Sequence, residues 1–105
     1  MSQMIHVQID FAFSGTPTEY GQVAEHVAPT IAAVPGLVSK LWISNEESHR
    51  AGGAYLFADR AAARAYLEGP IIARLRNNPA VADVSVRLFD VIPGPSKTTR
   101  GIRAA

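Results

Sequence analysis

Six residues carry side chains that could act on a small organic molecule. A histidine provides a base near neutral pH, a tyrosine hydroxyl donates a hydrogen bond, and a lysine or arginine neutralises an oxyanion. Two aromatic rings on neighbouring strands can stack against a planar ligand. The candidate catalytic residues are His49, Tyr55 and Asp10, and the candidate substrate-binding residues are Trp42, Lys40 and Arg87.

Each of these candidates also has a purely structural interpretation. His49 lies in a polar loop between two predicted strands and could be an ordinary solvated side chain. The tryptophan and tyrosine could pack in a subunit interface, where such residues are enriched. The two cations could instead form ion pairs with Asp10.

The sequence does not indicate a metal site. The three histidines are widely spaced and are accompanied by no carboxylate cluster. There is no cysteine, which excludes thiolate ligands and disulfides. We expect no metal and no other cofactor.

The elements that must position the candidates follow from hydrophobic periodicity. Alternation of apolar and polar residues predicts strands, and steps of three or four predict helices. The predicted strands are Met4–Phe13, Leu37–Asn45, Ala54–Ala58 and Val81–Ile92, and the predicted helical segments are 17–34, 59–68 and 71–77.

Local signals define the helix ends. Thr16, Pro17 and Glu19 form a capping-box start for the first helix. Pro29 lies inside its apolar stripe, and we expect it to kink or break the helix near Val27, because proline removes a backbone donor. Asp59 is the predicted N-cap of the second helix.

The order β-α-β-β-α-β predicts an α+β, ferredoxin-like fold with a four-stranded antiparallel sheet. Two helices cover one sheet face, so we expect a second copy on the other face. The apolar set predicted to face the helices is Ile5, Val7, Ile9, Phe11, Leu41, Ile43, Leu56, Val84, Val86 and Leu88. The set predicted to face the partner is His6, Gln8, Asp10, Lys40, Trp42, Tyr55, Phe57, Arg87 and Phe89.

Length and composition limit the class of protein. The 105 residues allow one domain, which we assign to residues 1–92, with residues 93–105 as a C-terminal tail or dimer arm. The net charge is +1, and no basic run precedes the last ten residues, so we expect no nucleic-acid partner. The N-terminal residues lead directly into a strand pattern that contains Asp10, and no apolar run is long enough to span a membrane. We therefore expect no signal peptide and a cytoplasmic protein without membrane contact.

Residues 4–92 resemble the YdhR-type monooxygenases of the dimeric α/β-barrel superfamily, which also contains the antibiotic-biosynthesis monooxygenases. The residues that carry this resemblance are Pro35-Gly36, Lys40, Trp42, His49, Ala51-Gly52-Gly53, Tyr55-Leu56-Phe57, Asp59, Ala65, Tyr66-Leu67, Ala73-Arg74-Leu75 and the strands that contain Phe11-Ala12-Phe13 and Phe89-Asp90-Val91. The segment Gly69 to Ile72 and the turn at Pro79 depart from the family pattern.

The resemblance implies a homodimeric barrel of two ferredoxin-like units. For activity it implies a cofactor-independent monooxygenase acting on a small aromatic or polyketide-like substrate of the quinol or anthrone type. Two alternatives remain open at the level of sequence: a non-catalytic dimeric protein that binds small molecules, and a non-oxidative isomerase or cyclase. One fold supports many activities, so the site must decide between them.

Overall fold

The structure is a computed structural model that describes residues 3–103. Within these residues, eight elements follow one another. They are β1 (Ile5–Phe13), α1 (Pro17–Ala32), β2 (Leu37–Asn45), β3 (Arg50–Phe57), α2 (Arg60–Leu67), α3 (Pro70–Asn77), β4 (Val81–Asp90) and α4 (Pro93–Thr98). The four strands form one antiparallel sheet in the order β2-β3-β1-β4, which confirms the predicted ferredoxin-like fold.

The helix starts agree with the local signals. The Thr16 hydroxyl accepts a hydrogen bond from the backbone N–H of Glu19, whose carboxylate accepts one from the Thr16 N–H. The hydrogen bond from the Thr16 backbone N–H lowers the pKa of Glu19, because it stabilises the ionised carboxylate, and the Thr16 side chain acts in the same direction. The Asp59 carboxylate likewise caps α2 through the N–H of Ala62.

Of the two outcomes expected at Pro29, a kink or a break near Val27, the break does not occur. Helix α1 continues through Pro29 to Ala32. Proline removes one backbone donor near the end of this helix, and the buried side chain of Ile31 still anchors the last turn against the core. Packing therefore outweighs the loss of one hydrogen bond.

Strand β3 begins earlier than predicted, at Arg50. Gly52 and Gly53 lie within the strand and pair with Asp10 and Ile9 of β1. A Cβ atom on Gly52 would collide with the carbonyl oxygen of Ile9. Gly52 thus permits the close approach of the two backbones.

The predicted sheet faces are correct for β1 and β4 but inverted for β2 and β3. Residues directly opposite each other in an antiparallel pair share a face. Tyr55 lies opposite Val7, and Phe57 lies opposite Ile5, so both aromatic rings face the helices. They are 4% and 0% exposed. Lys40 lies opposite Tyr55 and therefore shares that face.

The opposite sheet face, which we call the open face, is not covered by any helix of the described chain. It carries Leu41, Ile43 and Leu56, which were predicted to point inward, together with His6 and Phe89. Leu41 is 70% exposed and Phe89 is 53% exposed. The rings of Phe89 and His6 lie 6.1 Å apart across β1 and β4.

The start of the predicted tail is helical, since α4 spans Pro93–Thr98. Its role as a dimer arm stays a prediction, and residues 104–105 lie outside the described residues, as do residues 1–2 of the assigned domain. None of the helices in the described part of the chain has the length and apolar character needed to cross a membrane.

Candidate active site

A cavity of about 290 Å³ lies between the helix-facing side of the sheet and helices α1 and α3. Its walls are mostly aromatic and aliphatic. The sheet contributes Phe11, Lys40, Trp42, Gly52 and Tyr55, and the helices contribute Tyr20, Val23, Ala24, His26, Val27, Thr30, Ile31, Tyr66, Ile71, Ile72, Arg74 and Leu75. Asn78, which follows α3, completes the wall. A mostly apolar cavity with a few polar groups is typical of a small-molecule site.

Lys40 is the unusual residue of this cavity. Its Nζ atom lies 3.2 Å from the centroid of a Trp42 ring and 4.5 Å from that of Tyr55. Within residues 3–103, no carboxylate lies within ion-pair distance of this amine. The ring faces favour the ammonium form, but burial disfavours it more strongly and lowers the pKa of Lys40 from 10.5 to about 7.

Two tyrosine hydroxyls meet in the same cavity. The Oη atoms of Tyr55 and Tyr66 are 3.0 Å apart, and both side chains are buried. In such a pair one hydroxyl donates and the other accepts, so the acceptor keeps a hydrogen for another partner. A ligand oxygen in the cavity could receive that hydrogen.

Burial keeps these hydroxyls protonated. It raises the pKa of Tyr55 and of Tyr66, because the phenolate would lose its hydration. It also raises the pKa of Tyr20 to about 12, and the Tyr20 hydroxyl donates to the carbonyl oxygen of Gly52. At neutral pH the cavity therefore offers hydroxyl donors and a lysine that titrates near neutrality.

The structure brings together three of the six candidates, Lys40, Trp42 and Tyr55. They meet under the helices of their own subunit, whereas the sequence placed them on the face covered by a partner. The reason is that the two faces of β2 and β3 are exchanged relative to the prediction, as described above.

Asp10, Arg87 and His49 do not line this cavity. Arg87 lies on the open face, opposite Gln8. Asp10 was expected to pair with Lys40 or Arg87, but its Oδ1 lies 2.6 Å from the guanidinium of Arg50. That hydrogen bond raises the pKa of Arg50, which also contacts Asp83 at 3.0 Å.

His49 is part of the turn between β2 and β3 and has a positive φ of 55°. Its carbonyl oxygen accepts a hydrogen bond from the backbone N–H of Phe13. Its side chain is exposed and lies beside a separate small pocket of about 20 Å³. This surrounding is consistent with a structural role for the turn, and the catalytic role of His49 stays an untested prediction.

Sequence reasoning missed Tyr20, Tyr66 and Arg74 as cavity residues. Tyr20 and Tyr66 both lie in predicted helical segments, and their hydroxyls were a signal for polar groups on helices that pack against the sheet. No group of three or more His, Cys, Asp or Glu side chains in the described ranges could hold a metal ion.

Comparison with known families decides the assignment of the chain. The family profile described as "Putative mono-oxygenase ydhR" matches residues 6–102, which is nearly the whole sequence. The chain belongs to this family. A comparison of this protein's sequence with curated proteins found no significant match.

Several solved structures share the fold of this ydhR-family protein. SnoaB from Streptomyces nogalater, a cofactor-independent oxygenase, has a TM-score of 0.68 at 19% identity, covering 87% of this chain and 95% of its own. The heme-degrader MhuD from Mycobacterium tuberculosis has a TM-score of 0.64 at 22% identity, covering 83% and 95%. A dimeric ferredoxin-like protein of unknown function from Thermobifida fusca has a TM-score of 0.67 at 19% identity, covering 87% and 93%.

Proposed function

We propose that this protein is a cofactor-independent monooxygenase that oxidises a small aromatic or polyketide-like substrate of the quinol or anthrone type. The observation that carries the proposal is the Lys40 amine, which lies against two aromatic rings in a largely apolar cavity and has no carboxylate partner in the described chain. Membership of the ydhR family and the fold shared with SnoaB support the same reaction class.

The first step assigned to Lys40 is proton removal. Its pKa of about 7 leaves much of the amine neutral at physiological pH, so it can accept a proton from a phenol O–H or an anthrone methylene. The resulting anion has its negative charge on the ring oxygen. A hydroxyl of the Tyr55–Tyr66 pair donates a hydrogen bond to that oxygen and stabilises it.

The deprotonated substrate is itself the reductant. It transfers one electron to dioxygen, and recombination of the two radicals forms a bond between carbon and oxygen. The Lys40 ammonium returns its proton to the peroxide, and loss of water converts the original methylene into a carbonyl. One oxygen atom enters the product, the other leaves as water, and the substrate supplies both hydrogens.

The cavity walls contribute to this chemistry by holding the ring and limiting water. Trp42 and Tyr55 provide flat surfaces beside the amine, and a low local dielectric strengthens the hydrogen bond to the anion. Asp10 and Arg87 have no part in this proposed scheme, because neither side chain lines the cavity.

We also propose that two copies pack through their open faces to form a dimeric α/β barrel. The exposed apolar side chains of Leu41, Ile43 and Phe89 on that face support this assembly. The Thermobifida fusca protein of the same fold is described as dimeric. Residues 93–103 remain a candidate arm over the partner, and the cytoplasmic location remains a prediction.

Incubation with anthrone and quinol substrates under ¹⁸O₂ tests the proposed reaction. The protein should be free of flavin and metal, and heat-inactivated protein provides the background. Incorporation of one labelled atom into the product, with the second in water, is the expected result. Product formation under argon would instead indicate an isomerase or cyclase, and binding without turnover would indicate a binding protein.

A further inference from the structure

Four polar residues mark the mouth of the cavity. His26 and Thr30 lie on α1, Arg74 lies on α3, and Asn78 directly follows α3; all four line the cavity and are exposed. His26 and Thr30 are four residues apart and therefore project from the same face of α1. The two helices thus present polar side chains to one opening, while the interior is aromatic and aliphatic.

The charged groups around this cavity are of one sign. None of its lining residues, all from the described part of the chain, is an aspartate or glutamate. Arg50 and Arg60 each contact an aspartate, whereas no carboxylate within residues 3–103 lies within 4.0 Å of the Arg74 guanidinium. Arg74 is therefore available to an anionic ligand, and nothing acidic in the cavity wall repels one.

We propose that the cavity selects flat aromatic carboxylates, whose ring lies against Trp42 and Tyr55 and whose carboxylate is held by Arg74 at the mouth. A planar guanidinium can form two parallel hydrogen bonds with a carboxylate. The Asn78 amide, directly after the end of α3, can donate another. The inference rests on the proposed function for the position of the substrate, but it is independent of the oxygen chemistry.

Calorimetric titration with two probes tests this selectivity. The probes are 2-naphthoate and its neutral relative 2-naphthamide, which share one ring system and differ in charge. The titrations are made at pH 8.5, where the Lys40 amine is largely neutral. The variants are R74Q and the matched control R76Q, because Arg76 is also exposed on α3 but does not line the cavity.

We expect the wild type to bind 2-naphthoate about tenfold more tightly than 2-naphthamide, which corresponds to about 1.4 kcal/mol for a partly solvated charged contact. R74Q should lose this preference while keeping its affinity for the amide. R76Q should keep the preference. Raising the salt concentration should weaken only the binding of naphthoate to proteins that retain Arg74.

Three results would overturn the inference: a preference that persists in R74Q, a wild type without preference, or a wild type that binds neither probe. A K40M variant separates the two cations, and loss of the preference in K40M alone would assign the carboxylate to Lys40 instead. If the protein prefers 2-naphthoate but incorporates no ¹⁸O, the oxygenase proposal is wrong and the selectivity inference stands. If it incorporates ¹⁸O but shows no preference for 2-naphthoate, the selectivity inference is wrong and the oxygenase proposal stands.

Discussion

Replacing Lys40 by methionine should make the folded protein more stable at low pH. Methionine has a similar length and places no charge between the Trp42 and Tyr55 rings. In the wild type, burial lowers the pKa of Lys40 from 10.5 to about 7. Since each pKa unit corresponds to about 1.4 kcal/mol, this shift corresponds to a destabilisation of the folded state by roughly 5 kcal/mol when the amine is charged. Solvent near this partly buried amine reduces the destabilisation to about 3 kcal/mol.

The sign of the pH dependence follows from proton uptake. Below pH 10.5 the unfolded chain protonates this lysine, but the folded chain does so only near pH 7. The unfolded state therefore binds more protons in this window, and the free energy of unfolding rises with pH. The destabilisation by Lys40 is complete below pH 7 and fades as the pH rises toward 10.5.

Urea denaturation of the wild type and K40M at pH 6 and pH 9 measures this effect. The advantage of K40M over the wild type should be about 2 kcal/mol larger at pH 6 than at pH 9. A matched control is K97M, since Lys97 is an exposed lysine of α4. Parallel pH dependence of the wild type and K40M would refute the assignment of a perturbed buried amine.

Three further predictions concern the cavity and the open face. A G53A substitution brings a Cβ against Lys40 Cε and to 3.0 Å from the Tyr55 ring, so turnover should fall about tenfold in a folded protein. In the G52A variant the new Cβ instead clashes with the Ile9 backbone, and urea denaturation should show that the free energy of unfolding falls by at least ~3 kcal/mol. Y55F should lower kcat about tenfold or more and change KM little, because its hydroxyl acts on the developing anion; an unchanged kcat would exclude that role. L41E on the open face should sediment as a monomer, whereas A61E on α2 should remain dimeric; a dimeric L41E would contradict the proposed interface.

The order of the elements from β1 to β4 and most of their ends were predictable from the sequence, because periodicity and capping are local properties. The Thr16 box and the Asp59 cap are examples, and both form in the structure. The continuity of α1 through Pro29 was not predictable in this way, since it depends on the packing of Ile31.

The side of the sheet on which the site lies was not predictable from alternation alone. Alternation in β2 separates Lys40 and Trp42 from Leu41 and Ile43, but it does not say which set faces the helices. Aliphatic residues usually point inward, yet here they occupy the open face, and the helix face holds a cavity that contains an amine. In β3, one face carries the large Tyr55 and Phe57, and the other carries the small Gly52 and Ala54. This difference in size indicated which face of β3 packs against the helices.

The most direct test of the central claim, that Lys40 acts as the base in an oxygenase cavity, is the pH dependence of oxygen uptake with an anthrone substrate. The account predicts that kcat/KM of the wild type rises with pH through about 7 and then levels, because the neutral amine is the active form. K40M should remain at the rate of the heat-inactivated control at every pH. A flat wild-type profile, or a K40M variant as active as the wild type, would contradict it.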